Sequence, residues 1–299
     1  MKDDNLNVAL WATNLSRPVS SMQGWADLVE KHIQQAKEKK ASVLLMPEYA
    51  AEQWMHFAKE PLTPTTQIAW MAAQVDQALP LLQKLSHKHD ILLAAGTFPC
   101  ASRTSEPPFV NRAHVFFPNG DILMQDKLCL TPKEKNPQGW NLSTGDRVTL
   151  FTWHGWKIAL LVCLDIELPA LSAKLSGEGI DLVLVPSMTK KLAGYHRVFD
   201  CAKARAIELQ AAIGVCGVIG GGPNREKNIS GASFFLPCEE QFGHTGILAH
   251  MPPGYETPDA GPLLISELPL GRIRALRQSG AEVWPGAFDA CPVTIGQKP

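Results

Sequence analysis

The chain has 299 residues, of which 45% are hydrophobic and 19% charged, and its formal net charge is -1. This composition can fill a core but gives no strongly basic surface, and the short basic run Lys37-Glu38-Lys39-Lys40 is typical of a solvated helix end, so we predict no nucleic-acid partner. No signal-peptide pattern and no apolar stretch of membrane-spanning length occurs. We therefore predict a cytoplasmic protein with no membrane association.

Cysteines occur at positions 100, 129, 163, 201, 216, 238 and 291. The count is odd and the spacing irregular, with no C-x-x-C or H-E-x-x-H pattern, so we predict free thiols, no metal site and no cofactor.

The first part of the chain alternates predicted strands with predicted helices. We predict strands over residues 7–13, 42–46 and 91–97 and helices over 21–40 and 66–89. Ser20 and Ser21 offer an N-cap for the first helix. Pro80 is expected to break or restart the second helix.

Two hairpins are predicted in the middle of the chain. Residues 111–117 and 122–127 flank Pro118-Asn119-Gly120-Asp121, a strong turn signal. A polar loop over 131–146 follows, and strands over 148–153 and 156–162 flank His154-Gly155.

The remaining elements complete a layered pattern. We predict helices from Pro169 to about 176, over 197–210 and over 270–278, with strands over 181–186, 212–219, 232–236, 246–249 and 263–267. The alternation indicates one domain over residues 1–280, with layered sheets covered by helices. Residues 281–299 are predicted to be a C-terminal arm, either at a subunit interface or disordered.

Cys163 ends the apolar run of residues 158–162, where open α/β layers commonly place reactive side chains. A lone cysteine is more often a packing residue, so its chemistry depends on partners. Glu48 and Lys127 each follow another predicted strand. If the three strand ends converge, Glu48 suits the role of general base, while Lys127 and the backbone N–H of Leu164 suit stabilisation of an oxyanion.

Other candidate sites have weaker support. His154, His196 and His244 lack an orienting acid in a recognisable pattern. The segment from Ser187 to Lys190 matches S-x-x-K, but the S-D-N and K-T-G motifs that should accompany it are missing. Residues 220–222 are glycines without the G-K-[ST] ending of a phosphate-binding loop, so we interpret them as a turn.

Three motifs together resemble the nitrilase superfamily of carbon–nitrogen hydrolases. They are Leu45-Met46-Pro47-Glu48, the segment from Asp126 to Pro132 with Glu134 beyond it, and the segment from Val162 to Pro169. They occur in the family's order and at similar separations. The resemblance extends from about residue 5 to residue 275.

The resemblance implies an α/β fold, a four-layer α-β-β-α sandwich that pairs with a second copy, so we predict a homo-oligomer, a dimer or higher. It implies a small-molecule amide-type substrate and a thioester at Cys163, with Glu48 as base and Lys127 stabilising the tetrahedral intermediate. Glu134 matches a second site glutamate, the alternative being an exposed loop acid. Substrate-binding residues are predicted at Tyr49, Trp54, Leu164, Ser187, Met188, Tyr195 and His196.

Departures from the family pattern narrow the predicted substrate. Nitrile hydrolases of this family tend to have Trp-Glu after the nucleophile, whereas this chain has Leu164-Asp165. Amidase branches often carry an aromatic residue directly after the cysteine; Leu164 replaces it here, which keeps the backbone N–H but changes the pocket wall. We therefore predict hydrolysis of a linear amide or an N-carbamoyl amine, with release of ammonia or amine. A nitrile hydrolase, an acyl or amide transferase and a catalytically silent binding or assembly module are the alternatives.

Overall fold

The computed structural model describes residues 4–102, 106–222, 226–254 and 259–283. The strands of these residues are β1 (Leu6–Trp11), β2 (Val43–Leu45), β3 (Leu92–Ala101), β4 (Phe109–Phe116), β5 (Ile122–Asp126), β6 (Phe151–Trp153), β7 (Trp156–Leu160), β8 (Leu182–Ser187), β9 (Ala212–Gly217), β10 (Ser230–Phe235), β11 (Ile247–Gly254) and β12 (Leu263–Leu268). The α-helices are α1 (Met22–Glu38), α2 (Gln67–His89), α3 (Pro132–Lys135), α4 (Pro169–Leu175), α5 (Leu192–Leu209) and α6 (Leu270–Ser279), and 3₁₀ turns span Ala50–Phe57, Cys163–Glu167 and Glu240–Phe242.

The strands form two six-stranded sheets, in the orders β12-β1-β2-β3-β4-β5 and β11-β10-β9-β8-β7-β6. At the centre of each sheet three strands run parallel, β1-β2-β3 in one and β7-β8-β9 in the other. Antiparallel strands flank both centres. The parallel centres explain the continuous apolar runs in the sequence, because strands covered on both faces need no polar side.

Alternation along β1 shows how the layers stack. Val8 and Leu10 belong to the core between the two sheets, whereas Ala9 and Trp11 face the core that α1 and α2 cover. On the other sheet α5 packs against β9 and β10. The predicted four-layer α-β-β-α sandwich is therefore confirmed.

Three local predictions need correction. Helix α2 continues through Pro80; the missing N–H leaves the carbonyl of Asp76 without its helical partner, but both residues are exposed, so water can satisfy it. The predicted polar loop over 131–146 contains α3, which Thr131 caps. Helix α5 begins at Leu192 instead of residue 197. The apolar side chain of Leu192 is exposed, so the first turn does not show the buried-face periodicity from which the helix was predicted.

The described part of the chain contains no helix long and apolar enough to cross a membrane. Of the predicted C-terminal arm, residues 284–299 lie outside the described residues.

Candidate active site

Three strand ends converge where the two sheets meet. Glu48 follows β2, Lys127 follows β5 and Cys163 follows β7. The side chain of Gln125 donates a hydrogen bond to the carbonyl oxygen of Leu160 at 2.7 Å, which ties the end of β5 to the end of β7 across the sheets. The three strand ends thus lie close together, as the sequence predicts.

The ammonium group of Lys127 lies between two carboxylates. Its Nζ donates to Glu48 Oε1 at 2.8 Å and to both oxygens of Glu134, at 2.8 and 3.1 Å. The Asn111 amide also donates to both acids, at 2.9 Å to Glu48 and 3.2 Å to Glu134. Lys127 is only 1% exposed and both acids 2%, so water can contribute little to holding this arrangement.

Glu134 is placed by the single turn of α3. Thr131 and Glu134 form a capping box, in which the backbone N–H and hydroxyl of Thr131 both donate to Glu134 Oε2 at 2.8 Å. The Tyr49 hydroxyl donates to Oε1 at 2.8 Å. The sequence left two interpretations of Glu134 open, an exposed loop acid or a second glutamate of the site. The structure buries its side chain against Lys127, so the interpretation as an exposed loop acid is wrong.

Backbone geometry brings Glu48 to its position. Tyr49 adopts a left-handed φ of 54°, and its N–H donates to Thr97 Oγ1 at 3.0 Å. Gly96 beside it has φ 69°, and a Cβ there would lie 1.9 Å from the carbonyl oxygen of Pro47. A side chain at position 96 would therefore displace the peptide that precedes Glu48.

Cys163 opens the 3₁₀ turn with φ 48°, in the left-handed region that is unfavourable for a residue with a side chain. Asp165 secures this turn by accepting from the backbone N–H of Val162 at 3.2 Å, of Leu128 at 3.3 Å and of Cys129 at 2.8 Å. Because Leu128 and Cys129 directly follow Lys127, one buried carboxylate fixes the segments that carry the lysine and the thiol.

Burial sets the protonation of the cluster. Burial raises the pKa of Glu48 to about 7 although Lys127 opposes it. Burial disfavours the charged form of Lys127, but Glu48 and Glu134 outweigh it and hold the pKa of Lys127 well above its ordinary value. Burial also acts to raise the pKa of Glu134, but Lys127 outweighs it and holds this pKa below its usual range.

The surroundings of the Cys163 thiol favour its protonated form. Burial and the neighbouring charge of Glu48 raise the pKa of Cys163 to about 12, against the opposing influence of Lys127. The Ser187 hydroxyl donates to the Cys163 sulfur at 3.5 Å, and the thiol lies 3.7 Å from the carbonyl oxygen of Met188. A thiolate could therefore form only if a neighbouring base removes the proton as the sulfur reacts.

These side chains line a cavity of about 160 Å³. Its walls are Glu48, Tyr49, Lys127, Thr131, Lys133, Glu134, Trp140, Cys163, Met188 and Lys190. The volume is below the roughly 300–1,000 Å³ of pockets for drug-sized ligands, so the cavity suits a small group. No cluster of three His, Cys, Asp or Glu side chains suitable for a metal ion occurs among the described residues.

Four of the predicted substrate-binding residues lie at the cavity or beside the thiol. Tyr49 and Met188 line the cavity, Ser187 contacts the thiol, and Leu164 follows Cys163 with its side chain half-buried.

The other three predicted contacts do not line the cavity. Trp54 lies in an aromatic cluster, 5.2 Å from the ring of Trp25. Tyr195 is buried against Phe199 at a ring distance of 4.0 Å, and His196 is exposed on α5. Aromatic residues near a motif are as well suited to packing as to binding, which is why sequence could not separate them.

Asn111, Thr131, Lys133 and Lys190 also belong to the site and were not predicted from the sequence. Asn111 is the first residue of a predicted strand, and only the structure shows that it lies inside β4 and is fully buried. Thr131 had a usable signal, as the first residue of a Thr-x-x-Glu capping box. Lys133 and Lys190 resemble ordinary surface lysines in sequence, and only the fold shows that they face the cavity.

Comparison with known proteins relates the chain to a family of enzymes. The sequence profile described as carbon-nitrogen hydrolase matches residues 8–249. The probable hydrolase YhcX of Bacillus subtilis is 27% identical over 267 residues, which are 88% of this chain and 50% of that protein. The omega-amidase YafV of Escherichia coli K12 is 25% identical over 215 residues, 71% of this chain and 75% of that one. The chain thus spans about half the length of the Bacillus relative.

Two solved structures share the fold at a TM-score of 0.67. One is a mutant of the amidase from Nesterenkonia sp. AN1 that shows covalent addition of the acetamide moiety of fluoroacetamide at its active site cysteine; it is 22% identical, covering 93% of this chain and 96% of that chain. The other is Nit3 of Saccharomyces cerevisiae, a member of the nitrilase superfamily, which is 19% identical and covers 92% of this chain and 94% of that chain.

Proposed function

This chain belongs to the carbon–nitrogen hydrolase family, and we propose that it is a cysteine-dependent amidase acting on a linear amide or an N-carbamoyl amine. The observation that carries the proposal is that the carboxylate of Glu48, the ammonium group of Lys127 and the thiol of Cys163 line one small cavity. A base, an anion-stabilising cation and a nucleophile are the three groups that acyl transfer from an amide needs.

The first half of the proposed reaction forms a thioester. Glu48 takes the Cys163 proton while the sulfur attacks the carbonyl carbon, so the raised pKa of Glu48, about 7, leaves it a base near neutral pH. The carbonyl oxygen gains negative charge, which the Lys127 ammonium and the backbone N–H of Leu164 stabilise. Glu48 then returns the proton to the nitrogen, the C–N bond breaks, and ammonia or an amine leaves.

The second half regenerates the thiol. Water attacks the thioester carbon as Glu48 accepts one of its protons, and the resulting oxyanion occupies the same position beside Lys127. The C–S bond then breaks, the carboxylic acid leaves, and the Cys163 sulfur regains its proton. In this scheme Glu134 is a positioning residue that holds Lys127 in place through two hydrogen bonds.

Three observations favour amides over nitriles. Leu164 and Asp165 stand where nitrile hydrolases tend to have Trp-Glu. YafV is named an omega-amidase, and the Nesterenkonia amidase carries an acetamide group at its cysteine. Because the chain spans half of the Bacillus relative, the activity proposed is that of this domain.

A substrate panel tests the proposal. Linear amides, N-carbamoyl amino acids and nitriles are compared for ammonia release by the wild type and Cys163→Ala. We expect turnover of an amide or carbamoyl compound that Cys163→Ala abolishes. Turnover of nitriles alone, or residual activity in Cys163→Ala, would contradict the proposal, and product formation only when an amine is added would indicate a transferase.

Labelling with iodoacetamide, an electrophile that itself carries an amide, distinguishes an active site from a silent binding module. Mass spectrometry should find fast modification of Cys163 that Glu48→Gln slows. Cys129 is an internal control because it is partly exposed and lies outside the cavity walls. Equal labelling rates at both thiols would contradict the assigned nucleophile. The homo-oligomer and the cytoplasmic location stay predictions.

A further inference from the structure

A second, larger cavity adjoins the catalytic one. It has a volume of about 590 Å³, and Lys133 and Lys190 line both cavities, so they stand at the junction between them. The outer cavity, which we call the vestibule, is otherwise lined by Met55, His56, Ala58, Lys59, Glu60, Pro61, Leu62, Pro64 and Glu226. A substrate whose amide reaches Cys163 would extend its remaining part past these two lysines.

The balance of charge changes along the path from the thiol to the vestibule. At the inner end of the catalytic cavity, beside the thiol, two carboxylates, Glu48 and Glu134, stand against the ammonium group of Lys127, whereas Lys133 and Lys190 line the outer end. A second anion close to Glu48 would be repelled by both acids in a site from which water is largely excluded. The junction instead presents two lysines. An anionic group on the substrate would therefore be disfavoured beside the thiol and favoured at the junction.

Lys133 is held in place by an aromatic stack. Its Nζ lies 4.0 Å from the centre of the Trp140 ring, and Trp140 packs edge-on against Tyr49 at a ring distance of 4.6 Å. Tyr49 in turn donates to Glu134. The position of this ammonium group is thus coupled to the catalytic cluster through Trp140 and Tyr49, which reduces the entropy lost when it binds a ligand.

Lys190 has a partner that a ligand can replace. Its Nζ lies 3.1 Å from Glu226 Oε2, but the Glu226 side chain is 80% exposed. An ion pair this exposed contributes little to stability. A substrate carboxylate entering the junction can therefore take the place of Glu226 with small loss.

We propose that Lys133 and Lys190 form a subsite for an anionic group at the far end of the substrate, so that this enzyme prefers linear amides bearing a terminal carboxylate over neutral amides of equal length. The inference rests on the proposed amidase function and specifies its substrate class. It also fixes the direction of binding, with the amide inward at Cys163 and the carboxylate outward at the junction.

Matched substrates test the subsite. We compare kcat/KM for succinamate and glutaramate with kcat/KM for butyramide and valeramide, which replace the carboxylate with a methyl group. We expect a preference for the acids of about tenfold or more, as charge-assisted hydrogen bonds provide. Lys133→Met and Lys190→Met should each lower this ratio, and the double variant should bring it close to one.

Two further variants control for general electrostatics. Lys59→Met removes the same charge from the vestibule away from the junction and should keep the ratio of the wild type. Glu226→Gln removes the competing carboxylate and should raise kcat/KM for the acids, and because Glu226 is exposed its loss does not threaten folding.

Equal kcat/KM for acids and neutral amides, or a preference that survives in the double variant, would overturn the subsite while leaving the amidase proposal intact. An equal loss of the ratio in Lys59→Met would overturn it as well, because the effect would then come from overall charge. Failure of the amidase proposal differs, since no amide of either series would be hydrolysed and Cys163 would not react faster than Cys129.

Discussion

The Nζ atom of Lys127 lies 2.8 Å from Oε1 of Glu48, although 79 residues separate the two in the chain. Glu134 binds the same ammonium group at 2.8 Å. One cation thus serves two buried carboxylates, and only one of them can be fully compensated. Burial accordingly raises the pKa of Glu48 to about 7, while Lys127 lowers the pKa of Glu134 below its usual range. The acid next to the thiol is the one that exchanges protons near neutrality.

The pH dependence of the activity follows from this difference. A base must be unprotonated, so kcat/KM should rise with pH through an apparent pKa near 7 and then level off, because the pKa of Cys163 lies near 12. Glu48→Gln should lower kcat/KM by about 10²–10⁴, as expected for loss of a general base. Initial rates on a linear amide between pH 5 and 9 measure the apparent pKa of the wild type and the loss of kcat/KM in Glu48→Gln. A flat profile, or the same rise in Glu48→Gln, would contradict the role of Glu48.

Stability should depend on pH in a related way. The pKa of Glu48 is higher in the folded protein than its ordinary 4.5, so its contribution to stability is fully present below that value and is lost as the pH rises through about 7. Gln at position 48 does not titrate. The melting temperature of Glu48→Gln relative to the wild type should therefore increase between pH 5 and 8, as thermal unfolding followed by circular dichroism can show. A constant difference would mean that Glu48 does not titrate in this range.

Parts of this site were predictable from the sequence and others were not. Glu48, Lys127 and Cys163 each end a strand, and apolar runs bounded by a polar residue make strand ends visible. Glu134 is placed partly by the local capping box with Thr131, but the hydrogen bond from Tyr49 that also orients it joins residues distant in sequence. Local patterns carry no information on such a contact.

The errors have a similar origin. Trp54 and Tyr195 were expected near the substrate, whereas the structure places them in the hydrophobic cores, since apolar rings suit both environments. Lys133 and Lys190 lie on loops or short turns whose course is set by packing, so their common position at the cavity could not be predicted. Strand positions follow from periodicity, whereas the surroundings of the strand ends follow from tertiary contacts.

Lys127→Met should impair both stability and catalysis. The variant leaves Glu48 and Glu134 buried without their cation, and removing one partner of a buried ion pair typically costs about 3–5 kcal/mol. It also removes the group that stabilises the oxyanion, so kcat should fall by about 10²–10³. Urea unfolding at pH 8 and steady-state kinetics measure the two effects.

Lys127→Arg is the control for charge. It keeps the positive charge in a planar group with different reach, so it should recover much of the stability and little of the activity. Equal activity in Lys127→Arg and the wild type would show that any nearby cation suffices, and normal activity in Lys127→Met would remove the lysine from the mechanism.

Asp165→Asn should lower kcat without a comparable change in KM. Asp165 is fully buried, and its carboxylate accepts three backbone N–H groups that fix the turns on either side of the site. An amide has one acceptor oxygen, so at least one donor loses its partner and the thiol shifts relative to Lys127. We expect kcat to fall by about tenfold to a hundredfold, as misplacement of a reacting group does.

Glu167→Gln is the matched control for Asp165→Asn. Glu167 lies in the same 3₁₀ turn, but its side chain binds Arg197, whose side chain is 64% exposed, and it accepts none of these backbone groups. Its kcat should stay within about twofold of the wild type, because the arginine of this pair is largely in solvent, although the Glu167 side chain is only 13% exposed. Equal losses in the two variants would mean that Asp165 acts through the general charge of the turn and not through its backbone contacts.

Gly96→Ala should reduce activity from a position outside the cavity walls. A Cβ at this residue would meet the carbonyl oxygen of Pro47 at 1.9 Å, so the peptide before Glu48 must move. We expect a loss of stability of about 1–3 kcal/mol from the overpacking and a lower kcat because the base is displaced from the thiol.

Gly120→Ala separates the clash from backbone strain: Gly120 also has positive φ, 102°, but nothing lies within 4 Å of its added Cβ. That variant should lose stability through strain alone and keep the kcat of the wild type. If the two variants lose kcat equally, the close approach of Gly96 to Pro47 does not determine where Glu48 lies. If only Gly96→Ala loses it, the geometry of the base depends on the absence of one methyl group in the neighbouring strand.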